Sequence, residues 1–286
     1  MFIQLKSTTF VALMKIRFSI LYFVLAVLAI SSCKTNFEDV RTSNDPARIL
    51  EAADQYYADE DYLKAQALYE LVIPFYRGKE EAEDLYYKYA YTYYYQDQFI
   101  LAAHYFNSFT KTFYNSLKKE EMAYMSAFSN YQMSPNYKLD QGPSITAINE
   151  LQTFMNNFPN SPRVDECNKH IDELRLKLET KSYQQGKLYY QLEDYNSAMV
   201  SFENMLKDFP ETKRAEEIRY LIIKSTFNLA KNSVYEKTQE RLEESILKCE
   251  KFISKYTESE NLKEVRTIQQ NCNKELKRFI NDGYQE

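Results

Sequence analysis

One pattern of apolar, aromatic and small residues recurs along the chain, and it predicts pairs of helices. In the first copy, Tyr56, Tyr62 and Tyr69 are spaced around two alanines. The pattern appears three times, with its two small residues at Ala53 and Ala65, at Ala90 and Ala102, and at Gly186 and Ala198. Apolar positions within each half lie three or four residues apart, which is typical of an amphipathic helix.

Two weaker copies and a final amphipathic segment extend the pattern. The weaker copies have their second small residue at Ala147 and at Ser245, each with an insertion of about eight residues between the predicted helices. The stretch between Pro162 and Glu193 has no proline and a single glycine, which predicts one long helix. From Leu262 onward, apolar residues at spacings of three and four predict a last helix that caps the stack.

This pattern resembles the tetratricopeptide repeat. The resemblance implies an all-α fold, a tetratricopeptide-repeat superhelix of about five helix pairs plus a C-terminal capping helix. Repeats 1 to 3 would occupy residues 46–160, and repeats 4 and 5 with the cap would occupy residues 161–286. In this repeat, small residues allow two helices to cross closely; the corresponding residues are Ala53, Ala65, Ala90, Ala102, Ala147, Gly186 and Ala198.

The resemblance also assigns a peptide-binding groove to the first helix of each pair. Residues three before, one after and four after the first small residue would point into it. The aromatic residues at or beside these positions are Tyr57, Tyr87, Tyr91, Tyr94, Tyr95, Tyr124, Phe128 and Tyr131. Tyrosine suits such a groove, because its ring covers apolar area and its hydroxyl serves backbone groups. The alternative is that these rings only pack long helices together.

The N-terminus has the features of an export signal. Residues 1–32 contain basic residues near Met14 and then a mostly apolar run from Phe18 to Ile30, too short to span a bilayer comfortably. Lys15 and Arg17 follow Met14 directly, so Met14 is an alternative start to Met1. The sequence Ala-Ile-Ser-Ser-Cys ending at Cys33 resembles the lipobox of bacterial lipoproteins, which implies cleavage before Cys33 and a lipid anchor on it. An ordinary signal peptide followed by a chance cysteine is the alternative.

Residues 33–45 are polar and without period, and we expect a lipidated tether that ends at an Asp45 helix cap.

Composition argues against several functions. Four glycines in 286 residues do not suit glycine-rich phosphate loops, and His104 and His170 are the only histidines available for metal or triad chemistry. The net charge is −5, and about −8 without residues 1–32, which carry three positive and no negative charges. An acidic chain repels nucleic acid. We therefore expect no catalytic site, no metal site, and no cofactor other than a covalent lipid on Cys33.

Two cysteine arrangements leave alternatives open. Cys167 and His170 lie on one predicted helix face near Glu166 and Glu173, but no second ligand pair stands at metal-site spacing. Cys249 and Cys272 lie on the apolar stripes of successive helices. They could form a disulfide after export, although burial as two free thiols is the preferred interpretation.

The combination of lipobox, tether and about five repeats resembles the BamD family of outer-membrane β-barrel assembly lipoproteins. The most specific segment runs from Asn157 to Thr212, with its Phe-Pro-Asn-Ser turn, long helix and closing Asp-Phe-Pro-Glu-Thr. The resemblance implies a non-enzymatic protein anchored by lipid at the periplasmic face of the outer membrane. Its N-terminal repeats would bind unfolded outer-membrane proteins, and its C-terminal repeats, around Tyr183 to Lys231, would dock on a BamA-type subunit.

Two other functions remain compatible with these features. A periplasmic tetratricopeptide adaptor that coordinates envelope or peptidoglycan factors would share the export signal and the repeats, but it would not need the pattern from Asn157 to Thr212. A glycan-binding outer-membrane lipoprotein would favour tryptophan, and this chain has none. An enzyme is the least favoured class.

Overall fold

The computed structural model describes residues 35–283, and within that range every regular element is a helix. The helices are α1 (Thr35–Arg41), α2 (Pro46–Ala58), α3 (Tyr62–Tyr76), α4 (Ala82–Tyr95), α5 (Phe99–Thr112), α6 (Lys119–Gln132), α7 (Gly142–Asn157), α8 (Val164–Gln191), α9 (Tyr195–Asp208), α10 (Ala215–Lys231), α11 (Tyr235–Lys255) and α12 (Leu262–Gly283). The all-α prediction is confirmed, because the helices follow one another as the predicted pairs and cap.

The chain divides into two compact units within the third helix pair. The first unit ends at Met133 but also includes Thr153–Pro159, and the second unit contains Ser134–Gln152 and continues from Asn160. In the first unit, each helix from α2 to α6 packs against the next one along the chain. In the second unit, the same holds from α8 to α12. Packing between sequence neighbours is the arrangement of a helical repeat.

Small residues lie at the helix crossings of the first unit. Ala53 on α2 and Ala65 on α3 are completely buried, and so are Ala90 on α4 and Ala102 on α5. Large aromatic side chains fill the space beside them; Tyr69, Phe106 and Phe109 are also fully buried. The alternation of small and large residues lets neighbouring helices interdigitate.

The turns inside three helix pairs share one backbone conformation. Glu60, Asp97 and Glu193 have φ angles of 58° to 60°, the left-handed region that usually favours glycine. The residue after each of them donates its backbone N–H to a tyrosine carbonyl five residues back, as Asp61 does to Tyr56 over 2.8 Å. This closure ends the first helix of each pair. A chain with four glycines therefore makes these turns with acidic residues.

The second unit is built on the single long helix that the sequence predicts. Helix α8 runs unbroken through Val164–Gln191, and its C-terminal part packs against α9. Gly186 lies at that contact, where a Cβ atom would stand only 2.5 Å from the ring of Phe202. Helix α12 covers α11 with Val265, Ile268 and Cys272, as expected for a capping helix.

Two predictions about the chain path are wrong. The segment expected to be a polar tether contains helix α1, because Val40 is buried and the Phe37 ring meets Tyr56 at 5.8 Å. The extra residues of the fifth repeat do not form a loop; α10 and α11 are longer instead and only three residues separate them. In the third repeat the insertion is a loop, which lies between Gln132 and Gly142.

Candidate functional site

The predicted groove residues form one connected cluster of rings in the first unit. They lie on α2, α4 and α6, the first helices of the first three pairs. Together with Tyr62 on α3 they make up what we call the aromatic face: Tyr57, Tyr62, Tyr87, Tyr91, Tyr94, Tyr95, Tyr124, Phe128 and Tyr131. Each ring has its centroid 4.5 to 6.4 Å from that of another member, within the range of favourable aromatic pairs.

The end of the aromatic face at the first helix pair is organised around Tyr95. Its ring stacks on Tyr62 with centroids 4.5 Å apart and lies 6.4 Å from Tyr57. Tyr95 keeps 47% of its surface exposed, which makes it the most accessible ring of the face. Tyr62 begins α3 and is not among the predicted groove residues, although an aromatic residue at this position recurs as Phe99 and Tyr195.

Ring contacts continue from the second to the third pair. Tyr95 lies 5.8 Å from Tyr94, and Tyr94 lies 6.4 Å from Phe128 on α6. Phe128 in turn stacks between Tyr124 and Tyr131, at 5.6 Å from each. The partly accessible rings therefore follow one another across three first helices, a suitable arrangement for an extended chain.

Two of the predicted groove residues are buried. Tyr91 is only 7% exposed and packs edge-on against Phe106, and Tyr124 is 2% exposed and packs edge-on against Phe154. The prediction that these two rings are presented to a ligand is therefore wrong. The cause is tertiary, because each faces a phenylalanine from the second helix of its own pair. Each of these two buried rings also contacts an accessible ring of the aromatic face.

A carboxylate lies within the aromatic face. Glu121 on α6 accepts hydrogen bonds from the hydroxyls of Tyr91 at 2.6 Å and Tyr87 at 3.0 Å. Burial and the bond to Glu121 raise the pKa of Tyr87 to about 12, and they raise that of Tyr91 as well. Both hydroxyls thus stay protonated and hold α4 against α6. Sequence reasoning did not find Glu121, which lies 30 residues from Tyr91.

Charged residues border the aromatic face on α2 and α4. Asp54 accepts from the hydroxyl of Tyr69 at 2.6 Å and from Lys88 at 3.0 Å. Lys88 also pairs with Asp84 at 2.7 Å, and Asp84 with Lys118 at 3.0 Å. Burial alone would raise the pKa of Asp84, but the bonds from both lysines outweigh it and lower the pKa. This border is a chain of alternating charges that fixes α2 against α4.

The same set of contacts recurs in the second unit, around Tyr183. In the first unit, Lys118 lies 4.5 Å above the ring of Tyr87, whose hydroxyl donates to Glu121. In the second, Arg214 lies 4.4 Å above the ring of Tyr183, whose hydroxyl donates to Glu217. Burial and that carboxylate raise the pKa of Tyr183 to about 12.

A second bond accompanies each copy. Ser116 donates to Glu83 at 2.7 Å, and Thr212 donates to Glu179 at 2.6 Å. The sequence signal has two parts. The first is Glu-x-x-x-Tyr on one first helix, and the second is Ser/Thr-x-Lys/Arg-x-x-Glu, whose Ser or Thr lies 33 residues after the first Glu. We call each copy a Tyr-Glu interlock. It joins neighbouring repeats at the same register in both units.

The remaining predicted packing residues are also buried. Ala147 on α7 and Ala198 on α9 have no exposed surface, and Gly186 on α8 is buried against Phe202. Cys33, the predicted lipid attachment site, lies outside the described residues.

Cysteine and histidine do not combine into a metal site in the described part of the chain. Cys167 is buried, which raises its pKa to about 11, and His170 lies 3.8 Å from both Glu166 and Glu173. Within residues 35–283 no group of three or more His, Cys, Asp or Glu side chains could hold a metal ion. Cys249 and Cys272 are free thiols buried in one cluster between α11 and α12.

Tandem helix pairs with small residues at their crossings define a tetratricopeptide-type repeat protein. Among residues 35–283, no helix is both long enough and apolar enough to cross a bilayer. The family model YfiO, described as an outer membrane lipoprotein, matches residues 42–218 and again residues 180–278. The chain therefore belongs to the YfiO family of outer membrane lipoproteins. No curated protein matches it with significant similarity.

Proposed function

We propose that this protein is a BamD-like, non-catalytic component of the outer-membrane β-barrel assembly machinery. It is anchored by lipid on Cys33 at the periplasmic face of the outer membrane, and it binds unfolded outer-membrane proteins on its aromatic face. The observation that carries this proposal is the unbroken series of ring contacts across three first helices in a chain of the YfiO family. The second unit docks on a BamA-type subunit.

The aromatic face suits an extended, apolar-rich segment. Tyrosine rings give large apolar contact area, and few side-chain torsions are immobilised when a ligand binds. Tyr94, Tyr95 and Phe128 follow one another across two first helices, so that successive outward side chains of an extended peptide meet successive rings. Tyrosine hydroxyls also serve the backbone groups that an unfolded segment leaves unpaired.

The second unit offers a separate surface for docking. A cavity of about 950 Å³ lies among the start of α7, the middle of α8 and the turn after α9. Apolar side chains such as Ile145 and Phe209 line it together with the charged residues Arg175 and Lys181. Mixed apolar and polar surfaces are typical of interfaces between folded proteins. We propose the BamA-type contact here, because the cavity reaches Gln185 and the turn after α9, which belong to the segment from Tyr183 to Lys231.

Site-specific photo-crosslinking in cells tests both contacts. A photoreactive amino acid at Tyr95 should capture newly exported outer-membrane proteins, and one at Gln185, which lines the large cavity, should capture a BamA-type protein. Matched controls are Tyr114 in the first unit and Leu247 in the second, exposed side chains outside the two surfaces. Capture of peptidoglycan enzymes at Tyr95 would instead favour a periplasmic adaptor. Equal capture at test and control positions would contradict the proposal.

A further inference from the structure

A second, smaller cavity of the second unit combines an apolar floor with a cationic rim. It has a volume of about 340 Å³ and lies among α9, α10 and α11, the last three helices before the cap. Leu206, Ile222 and Phe252 supply apolar lining. Small-molecule sites have volumes of about 300 to 1,000 Å³, so the cavity is large enough for a small organic ligand. We call it the cationic cavity.

Four basic residues and one acidic residue line the cationic cavity. Lys248 is already neutralised, because it pairs with Glu203 and, at 3.1 Å, with Glu244. Lys251 and Lys255 are exposed at the rim, and neither has a carboxylate partner within the described residues. The positive charge that remains stands out in a chain whose net charge is −5. Such a local excess attracts anions.

Arg219 gives the cavity its strongest signal for an anion. Its guanidinium nitrogen Nη1 is buried, yet within residues 35–283 it has no hydrogen-bond partner. An arginine side chain keeps its charge in a protein, so it cannot relieve this cost by losing a proton. Arg219 also lines the cavity, so a carboxylate or a phosphate group bound against it would supply the missing negative charge.

We propose that the cationic cavity binds an organic anion that has a carboxylate or phosphate head group and a short apolar body. The head group pairs with Arg219, Lys251 and Lys255, and the apolar body covers Ile222 and Phe252. An inorganic ion would leave this floor in contact with water, and an uncharged hydrocarbon would leave Arg219 unpaired. The site lies in the second unit and does not depend on the aromatic face of the first.

Calorimetric titration of the full chain in a non-ionic detergent tests this site. The probes are hexyl phosphate, hexanoate, inorganic phosphate and hexanol, and heats of partition into empty micelles are subtracted. We expect one of the two amphiphilic anions to bind at least about tenfold more tightly than phosphate or hexanol, because only it satisfies both halves of the cavity. Displacement by dihexanoyl phosphatidylglycerol would identify a membrane lipid as the source, and failure to displace would exclude that lipid and favour a water-soluble anion.

Three variants separate the site from general charge effects. Arg219→Gln should weaken binding by about tenfold or more, since it removes the charged donor. A Lys251→Gln and Lys255→Gln double change, on exposed side chains that leave the fold intact, should weaken it about threefold or more. Lys169→Gln, an exposed lysine on α8 outside the cavity, should leave affinity unchanged.

The proposal has clear contradicting results. It is overturned if neither amphiphilic anion binds, if inorganic phosphate binds equally well, or if the folded Arg219→Gln protein keeps full affinity. Should Arg219→Gln fail to fold, unchanged binding by the double lysine variant overturns it equally.

Discussion

The hydroxyl of Tyr91 donates a hydrogen bond of 2.6 Å to the carboxylate of Glu121, across the boundary between the second and third helix pairs. Tyr91 is buried, so this bond replaces the water that the hydroxyl loses on folding. The same carboxylate also holds Tyr87, one of the rings of the aromatic face. Glu121 therefore joins the stability of the repeat stack to the position of the proposed binding surface.

Replacing Glu121 by alanine should destabilise the fold. The change leaves a buried tyrosine hydroxyl without its partner, which costs roughly 1 to 3 kcal/mol of unfolding free energy. Chemical denaturation followed by circular dichroism measures the loss. The matched control is Glu120→Ala on the same helix, because the side chain of Glu120 makes no hydrogen bond or ion pair within the described residues. Equal losses for the two variants would show that the interlock contributes nothing specific.

The raised tyrosine pKa values predict a loss of stability in alkali. Tyr87 and Tyr183 each have a pKa of about 12 in the fold, from burial and then from the bonded carboxylates of Glu121 and Glu217. In an unfolded chain tyrosine has a pKa of about 10. Above that pH the unfolded chain releases protons that the fold retains. Stability should therefore be complete below about pH 10 and fall as the pH rises toward 12.

Ultraviolet absorbance of tyrosinate, recorded beside denaturation curves, checks this pH dependence. Glu121→Gln should lower the pKa of Tyr87 and leave that of Tyr183 unchanged, since the two interlocks lie in different units. Titration of both tyrosines at their ordinary pKa in the folded protein would contradict the proposed interlocks.

Gly186→Ala should destabilise the second unit. The new methyl group would stand 2.5 Å from the ring of Phe202, and overpacking of this kind costs roughly 1 to 3 kcal/mol. Phe202→Leu makes room at the same contact, so the double variant should lose less than the sum of the single changes. Thermal or chemical unfolding of the four proteins measures this coupling. If the two losses of stability were strictly additive, Gly186 would not lie at the contact between α8 and α9.

The helices could be predicted from the spacing of residues along the chain, whereas the errors arose where contacts between different helices determine the structure. Alanines and aromatic residues three or four positions apart lie on one face of a helix, so the helix pairs and the long helix α8 were predictable. The burial of Tyr91 depends on Phe106, and that of Tyr124 on Phe154. Helix α1 is seven residues long and is held by packing of Phe37 and Val40, which no local periodicity shows.

The same limit applies to the candidate site. The tetratricopeptide register predicts the rings that the first helices contribute to the aromatic face, but it does not separate the accessible rings from Tyr91 and Tyr124, which are buried. Glu121 was missed, because its partners lie 30 and 34 residues earlier in the chain. Comparison of its surroundings with those of Glu217 would have revealed the repeated signal.

The lipid anchor is a separate prediction about Cys33. We expect radioactive palmitate supplied to growing cells to label the protein, because a small-residue sequence leads into this cysteine directly after an apolar core. Cys33→Ala should abolish both the label and recovery in the outer-membrane fraction, since acyl chains supply the membrane affinity. Label that persists in the variant would show that the lipid is attached to a residue other than Cys33.

Peptide binding to the aromatic face tests the central claim most directly. A fluorescent peptide copied from the C-terminal strand of an outer-membrane β-barrel protein is titrated with the protein, and anisotropy gives the dissociation constant. Replacing both Tyr57 and Tyr95 by alanine removes two contacting, partly accessible rings, and Tyr114→Ala removes an exposed ring outside the face. The double variant should stay folded and bind at least about tenfold more weakly, while the control binds normally. Unchanged affinity in the folded double variant would contradict the account.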